Sequence, residues 1–114
     1  MYNFNLLKNE KLIQVFDDIW IKEGNNEKVT TIALTNERLL FLDYEINDPR
    51  ENLRIINKLN YIKTKEVYYS INLEDIKDIT KKDNYIIHTI NNKNIEIDNE
   101  RLGHLIKKQK EKTS

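Results

Sequence analysis

The sequence predicts a mainly β, α+β domain: about seven antiparallel strands, a C-terminal helix, and an extra helix between the third and fourth strands. Three observations predict it. In Leu34-Thr35-Asn36-Glu37-Arg38-Leu39-Leu40-Phe41 an apolar run enters a polar tripeptide and leaves at once into a second apolar run, the pattern of a tight β-hairpin. Several other short segments rich in Ile, Val, Tyr, Phe and Thr are separated by Asn-rich turns, since Gly24, Gly103 and Pro49 are the chain's whole stock of glycine and proline. The chain then closes on Leu102, Leu105 and Ile106, spaced as on one face of a helix.

Taken in order, the strands are predicted at Lys11–Ile21, Lys28–Thr35, Arg38–Glu45, Glu66–Asn72, Ile76–Thr80, Tyr85–Ile90 and Asn94–Asp98. In the first, Asp17 and Asp18 project to opposite faces of a regular strand. Apolar alternation breaks between Phe16 and Ile19, which marks the place for a bulge. Gly24-Asn25-Asn26 and Asn91-Asn92-Lys93-Asn94 read as turns, and Asn36 is expected to bond the backbone of its own hairpin turn. Over 46–65 a helix start is written as Asp48 at the N-cap, Pro49 at the first helical position and Glu51 three residues after the cap. Leu53, Ile56 and Asn60 share a stripe with Ile55, Leu59 and Ile62 beside it, while Arg50, Arg54 and Lys58 recur every four residues on another face. The competing reading of Leu59–Ile71 as one long strand has poor alternation. Asp98 or Asn99 caps the final helix, whose residues 109–114 are expected to form a frayed basic tail. The predicted core is Ile32, Leu34, Leu40, Phe41, Ile71, Leu73, Ile76, Ile79, Ile87, Leu102, Leu105 and Ile106.

The hairpin resembles the bacterial pleckstrin-homology-like domains related to GRAM domains, whose second and third strands often meet at a Leu-Thr-Asn-x-Arg-Leu-Leu/Ile-Phe turn. The stretch Tyr69–Ile79 is similar to the family's strand-turn-strand step, commonly Ile-Pro-Leu-x-x-Ile, with Asn72 in place of the proline. The resemblance covers most of the chain except Ile46–Lys65. It implies a bent sheet or partly open barrel with the final helix closing one open end, a single domain over 1–114, and a binding platform for proteins or membranes. It brings no common ligand or reaction.

A chain of 114 residues suits one domain, burying roughly 60–70% of its unfolded surface. Without cysteine, neither a disulfide framework nor a thiolate zinc site can form, and a reducing compartment is permitted. Residues 1–13 lack the apolar centre of a secretion signal, so a cytoplasmic protein is expected. Lys plus Arg and Asp plus Glu each number 19, so no global field draws the chain to nucleic acid or acidic lipid. Pro49–Glu66 nevertheless holds five basic residues against two acidic ones.

Catalysis is not expected. Serine occurs only at Ser70 and Ser114, no nucleophile elbow is present, and His88 and His104 read as a strand residue and a solvated helix residue. No calcium loop, phosphate loop or histidine pair at helical ligand spacing is present, so no metal or cofactor is expected. The first hairpin, Ile21–Lys28, sets two lysines among two glutamates, and carboxylates within ~8 Å offset the convergent cations that a phosphoinositide pocket needs. Tyr68 and Tyr69, adjacent in a strand, face opposite ways, leaving one exposed as a candidate anchor. The candidate surface is therefore Arg50, Arg54, Lys58 and Tyr68. The expected function is non-catalytic binding of a protein, possible self-association included, with a peripheral membrane module using the 49–62 helix as the alternative; neither nucleic acid nor a small-molecule substrate is expected.

Overall fold

The computed structural model describes residues 2–44 and 64–113. They form strands β1 (Tyr2–Asn3), β2 (Leu12–Glu23), β3 (Asn26–Thr35), β4 (Arg38–Tyr44), β5 (Lys65–Asn72), β6 (Ile76–Lys81), β7 (Tyr85–Thr89) and β8 (Asn94–Ile97), then helix α1 (Glu100–Thr113). A single 3-10 turn, Leu73–Asp75, joins β5 to β6. The fold is mainly β. The strands make one sheet in the order β1-β5-β4-β3-β2-β8-β7-β6, antiparallel throughout except for β1 beside β5. No described helix is long and apolar enough to cross a membrane.

All seven anticipated strands form, with ends shifted by one or two residues, but the described sheet has eight strands. The addition, β1, is two residues held in parallel register on Lys65 and Glu66, too short to leave a periodic signal. The expected helix over 46–65, with Arg50, Arg54 and Lys58, lies outside the described residues except at its end, where Lys65 already belongs to β5. Helix α1 runs through residues 109–113 of the expected basic tail. Asn99 caps it, its Oδ1 accepting from the Leu102 amide at 2.8 Å.

The sheet curls around one core, in which Ile32, Leu34, Leu39 and Phe41 from β3 and β4 meet Ile76, Ile79 and Ile87 from β6 and β7 and Leu102 and Ile106 from α1. Leu105 is half-buried against this cluster, and Leu40 belongs to the other face of the sheet, where it meets Ala33 and Leu42 under Phe4 and Val15. The bulge expected near Asp17 is present: Phe16 pairs with Ile32 but Ile19 with Thr30, two residues against one. Asp18 takes φ +57° to make it, and Phe16 and Ile19 consequently both face the core.

The segment between β1 and β2 is fastened at two points. Asp17 accepts from the Tyr2 hydroxyl at 2.5 Å, from Thr31 Oγ1 at 2.8 Å and from Lys65 Nζ at 3.0 Å, and these donors, Tyr2 foremost, hold its carboxyl below the usual range. Glu10 is the second point. Its fully buried carboxylate accepts from Arg38 through Nε at 2.8 Å and Nη2 at 2.9 Å, from the Thr35 hydroxyl at 2.6 Å and from the Leu7 amide at 2.8 Å. Burial alone pushes Glu10 upward, but these donors outweigh it and bring its pKa to about 2. In the hairpin turn Thr35 Oγ1 accepts from the amides of Glu37 and Arg38, whereas Asn36 Oδ1 accepts from the Lys11 amide. Thr35 thus does the turn work expected of Asn36.

Candidate functional site

The candidate site grows from a second bulge. Phe41 of β4 pairs with Tyr69 but Leu42 pairs with Val67, leaving Tyr68 as the extra residue of β5. A regular strand would send Tyr68 and Tyr69 to opposite faces; the bulge instead brings both rings near Phe41, with centroids at 6.4 and 5.6 Å. Tyr68 remains 46% exposed. Thr30 Oγ1 donates to the Leu42 carbonyl at 2.9 Å, so the Tyr68 hydroxyl donates to Thr30 Oγ1 at 2.9 Å.

Beside these rings lies a cleft of about 290 Å³, with Ile21, Phe41 and Ile95 at its apolar base and Tyr68 and Tyr69 as aromatic wall. Its polar lining is Glu23, Asn26, Lys28 and Lys93. The two-residue turn Gly24-Asn25, with Gly24 at φ +60°, brings Glu23 opposite Asn26 at the tip of the β2–β3 hairpin. Lys93 arrives from the β7–β8 turn, where Asn92 takes φ +66°. Lys28 Nζ stands 4.0 Å from the Tyr68 ring centroid and 3.1 Å from Asp43 Oδ2. Partial burial opposes the Lys28 charge, yet the Asp43 carboxylate and Tyr68 raise its pKa overall. Lys93 Nζ lies 5.1 Å from the Tyr69 centroid.

Of the residues singled out in the sequence, Tyr68 is thus described and exposed, while Arg50, Arg54 and Lys58 lie outside the described residues. Lys93 and Lys28 were not singled out as partners of the tyrosines; with β4, β5, β6 and β7 between them along the chain, they reach one cleft only through the β8-β2-β3 and β3-β4-β5 pairings. The alternation of β3 was the available signal, since it turns Lys28 to the side opposite Glu27.

The histidines are tied differently. His88 Nδ1 donates to Asn94 Oδ1 at 2.7 Å, an oxygen that can only accept, and Nε2 lies within hydrogen-bond distance of the Thr80 hydroxyl at 2.8 Å. It fastens β7 to both neighbours. His104 is exposed on α1. Among the described residues no group of three His, Cys, Asp or Glu side chains could hold a metal ion. A second groove, of about 370 Å³, is lined by Leu7, Leu73, two asparagines and the carboxylates of Glu37 and Glu74, and lacks aromatic anchors.

No family model and no curated protein matches the sequence. Among solved structures the chain is similar to the C-terminal domain of an unknown protein from Leishmania infantum, at TM-score 0.58 and 20% identity, over 90% of this chain and 86% of that one. At that identity the likeness concerns the fold alone.

Proposed function

We propose that the chain is a cytoplasmic, non-catalytic interaction domain of pleckstrin-homology-like, GRAM-related architecture, which binds a protein partner through the Tyr68 cleft. The architecture is supported by the strand order: apart from β1, a four-strand meander β2-β3-β4-β5 and a three-strand meander β6-β7-β8 join where β8 meets β2, and a helix follows. A helical insertion over 46–65 belongs to this reading through its cap and stripe.

The observation that carries the function is Tyr68 itself: a half-exposed ring, immobilised by Thr30 and Lys28, beside an apolar concavity. A fixed aromatic anchor of this kind gives contact area at low entropic cost, as protein interfaces require. The test compares the tagged wild-type chain with Tyr68→Ala after recovery from its own cells. The reading expects a protein retained in stoichiometric amount by the wild type and lost from the variant, with both folded by circular dichroism. Identical retained proteins would refute it.

The membrane reading is tested in parallel. Basic residues at an acidic surface give about 1 kcal/mol each, so Arg50, Arg54 and Lys58 alone give weak, salt-sensitive binding. Little cosedimentation with acidic liposomes is expected at physiological salt. Robust sedimentation abolished by Arg50→Glu/Arg54→Glu/Lys58→Glu would replace the protein-partner reading with a peripheral membrane module.

A further inference from the structure

We infer that residues 2–10 form a latch: a strap that opens as one unit off an otherwise intact sheet, pivoting at Lys11, and thereby uncovers an apolar trough of Ala33, Leu40 and Leu42. The trough lies on the outer face of the sheet, away from the Tyr68 cleft, and the latch stands independently of that cleft's role.

The strand order carries the strap across the sheet. β5, β4 and β3 lie between β1 and β2, which follow one another in the chain. β1 meets the Lys65 end of β5, whereas Lys11 meets Asn36 in the turn that joins β3 to β4, at the opposite end of the strands. Residues 4–10 therefore run obliquely over the outer face, and Phe4 packs on Ala33, Leu40 and Leu42, all fully buried. Phe4 is itself only half-buried, and Leu6 and Leu7 are exposed. One such ring is little apolar burial to set against the chain entropy of the whole segment, so the polar bonds at its two ends hold the strap down.

The sheet keeps a partner for each buried group that the strap gives up. When the Tyr2 hydroxyl leaves Asp17, the carboxylate retains Thr31 Oγ1 at 2.8 Å and Lys65 Nζ at 3.0 Å. The bonds from Asn3 Nδ2 to Glu66 lie at the exposed surface. When Glu10 leaves, Thr35 Oγ1 has the Arg38 carbonyl at 3.2 Å as a second acceptor and still receives the amides of Glu37 and Arg38. The pivot is fixed as well: the Lys11 amide donates to Asn36 Oδ1 at 2.7 Å and its carbonyl accepts from the Asn36 amide at 3.0 Å, just before Leu12 pairs with Thr35.

The two ends are joined through Arg38. The guanidinium that grips Glu10 also donates through Nη2 to the Asn5 carbonyl at 2.7 Å, next to Phe4 and two residues from the end of β1. So short a link leaves no slack for one end to open while the other stays closed.

The test uses the full chain, whose lack of cysteine allows single thiols to be placed on either face of β4. Leu40→Cys puts a thiol under the strap and Leu39→Cys puts one in the main core. The Leu40→Cys thiol is expected to react with a soluble thiol reagent at least tenfold faster than the Leu39→Cys thiol, at a rate nearly independent of low urea, because opening the strap exposes little surface. In the ¹⁵N-labelled chain the amides of Leu7 and Glu10, bonded within the strap to Glu10 Oε1 and the Leu7 carbonyl, should exchange faster than that of Ile87. Tyr2→Phe, which removes one hydroxyl at the far end, should speed both strap amides about tenfold, the worth of one hydrogen bond. Unchanged exchange of Leu7 and Glu10 in Tyr2→Phe would mean that the ends open separately and would overturn the single unit. Equal reactivity and equal urea dependence of the two thiols would show that the trough opens only with global unfolding, and would overturn the latch. Exchange of the Leu7 and Glu10 amides at the rate of an unstructured peptide would do the same, since the strap would then not be closed.

Discussion

Replacing Gly103 by alanine sets two effects of known size against each other. Gly103 lies within α1, and Gly24 is the only described glycine with positive φ, so alanine meets no backbone obstacle there and gains about 1 kcal/mol of helix propensity. Against this, a Cβ on Gly103 would stand 2.2 Å from Cδ2, 2.3 Å from Cγ and 2.8 Å from Cε2 of Tyr85, where ordinary carbon contacts begin near ~3.5 Å. Turning the ring about χ2 leaves Cγ where it is. Relief therefore needs a χ1 change of Tyr85 or a shift of α1 against β7, in the range of about 1–3 kcal/mol for overpacked sites, and the immovable Cγ favours the upper half. The net expectation is a loss of roughly 1–2 kcal/mol. Urea denaturation should show a midpoint below wild type with an unchanged slope. In a Tyr85→Ala background the clash is gone, and the same substitution should raise the midpoint, a reversal of sign that measures the coupling directly. An increase in the wild-type background would refute the close packing of Tyr85 on the helix.

Other outcomes follow from the same packing. Glu10, lowered from 4.5 to about 2, contributes stability in full above its unfolded value and loses it as the pH falls toward 2. That is about 3 kcal/mol at neutral pH, of which about 2 is gone by pH 3. Urea midpoints at both pH values should therefore fall more for wild type than for Glu10→Gln, and equal falls would remove Glu10 from the acid response. Leu102→Ala, at a fully buried site, should cost about 2–5 kcal/mol and half-buried Leu105→Ala less, so equal losses would contradict the assigned face of α1. Tyr68→Phe removes one hydrogen bond to Thr30, which keeps its bond to the Leu42 carbonyl, and should lower stability by about 0.5–1.5 kcal/mol in the same assay.

The elements legible in the sequence are those set by neighbours along the chain. The Leu34–Phe41 hairpin, the Gly24-Asn25 turn, the Asn99 cap and the inward set of Ile32, Leu34, Phe41 and Ile87 all follow from local period and turn chemistry. What escaped depends on distant partners. Glu10 and Arg38 stand 28 residues apart, and no spacing rule links a loop carboxylate to a hairpin guanidinium. The polar tripeptide was read for turn propensity, which favoured Asn36, but the Lys11 amide on the neighbouring segment claims that side chain, and Thr35 is left to close the turn. The exposure of Tyr68 agrees with the sequence but its reason does not, because a bulge rather than alternation places it, with both rings near Phe41; the lysines over the rings escape the sequence, because Lys93 reaches Tyr69 only after β8 has paired with β2.

The two bulges explain why the site sits where alternation fails. Strict period two from Phe16 would turn Asp18 into the core and Ile19 outward, and in β5 it would split Tyr68 and Tyr69 between the two faces. One extra residue in β2, with Asp18 at positive φ, keeps both Phe16 and Ile19 in the core and leaves Asp17 on the outer face, where it fastens β1. One extra residue in β5 releases Tyr68 from the ladder while Tyr69 keeps its pairing with Phe41. In both strands the residue freed from pairing is the one that takes up a long-range polar bond, to Tyr2 and to Thr30 respectively. The bulged tyrosine therefore differs from an aromatic left over on a surface: its ring is held from below by Phe41, from the side by Lys28 and at its tip by Thr30. Such restraint would be superfluous for a core residue, which packing alone immobilises, and is what a half-exposed ring needs if it is to meet a partner without losing rotamer entropy on contact.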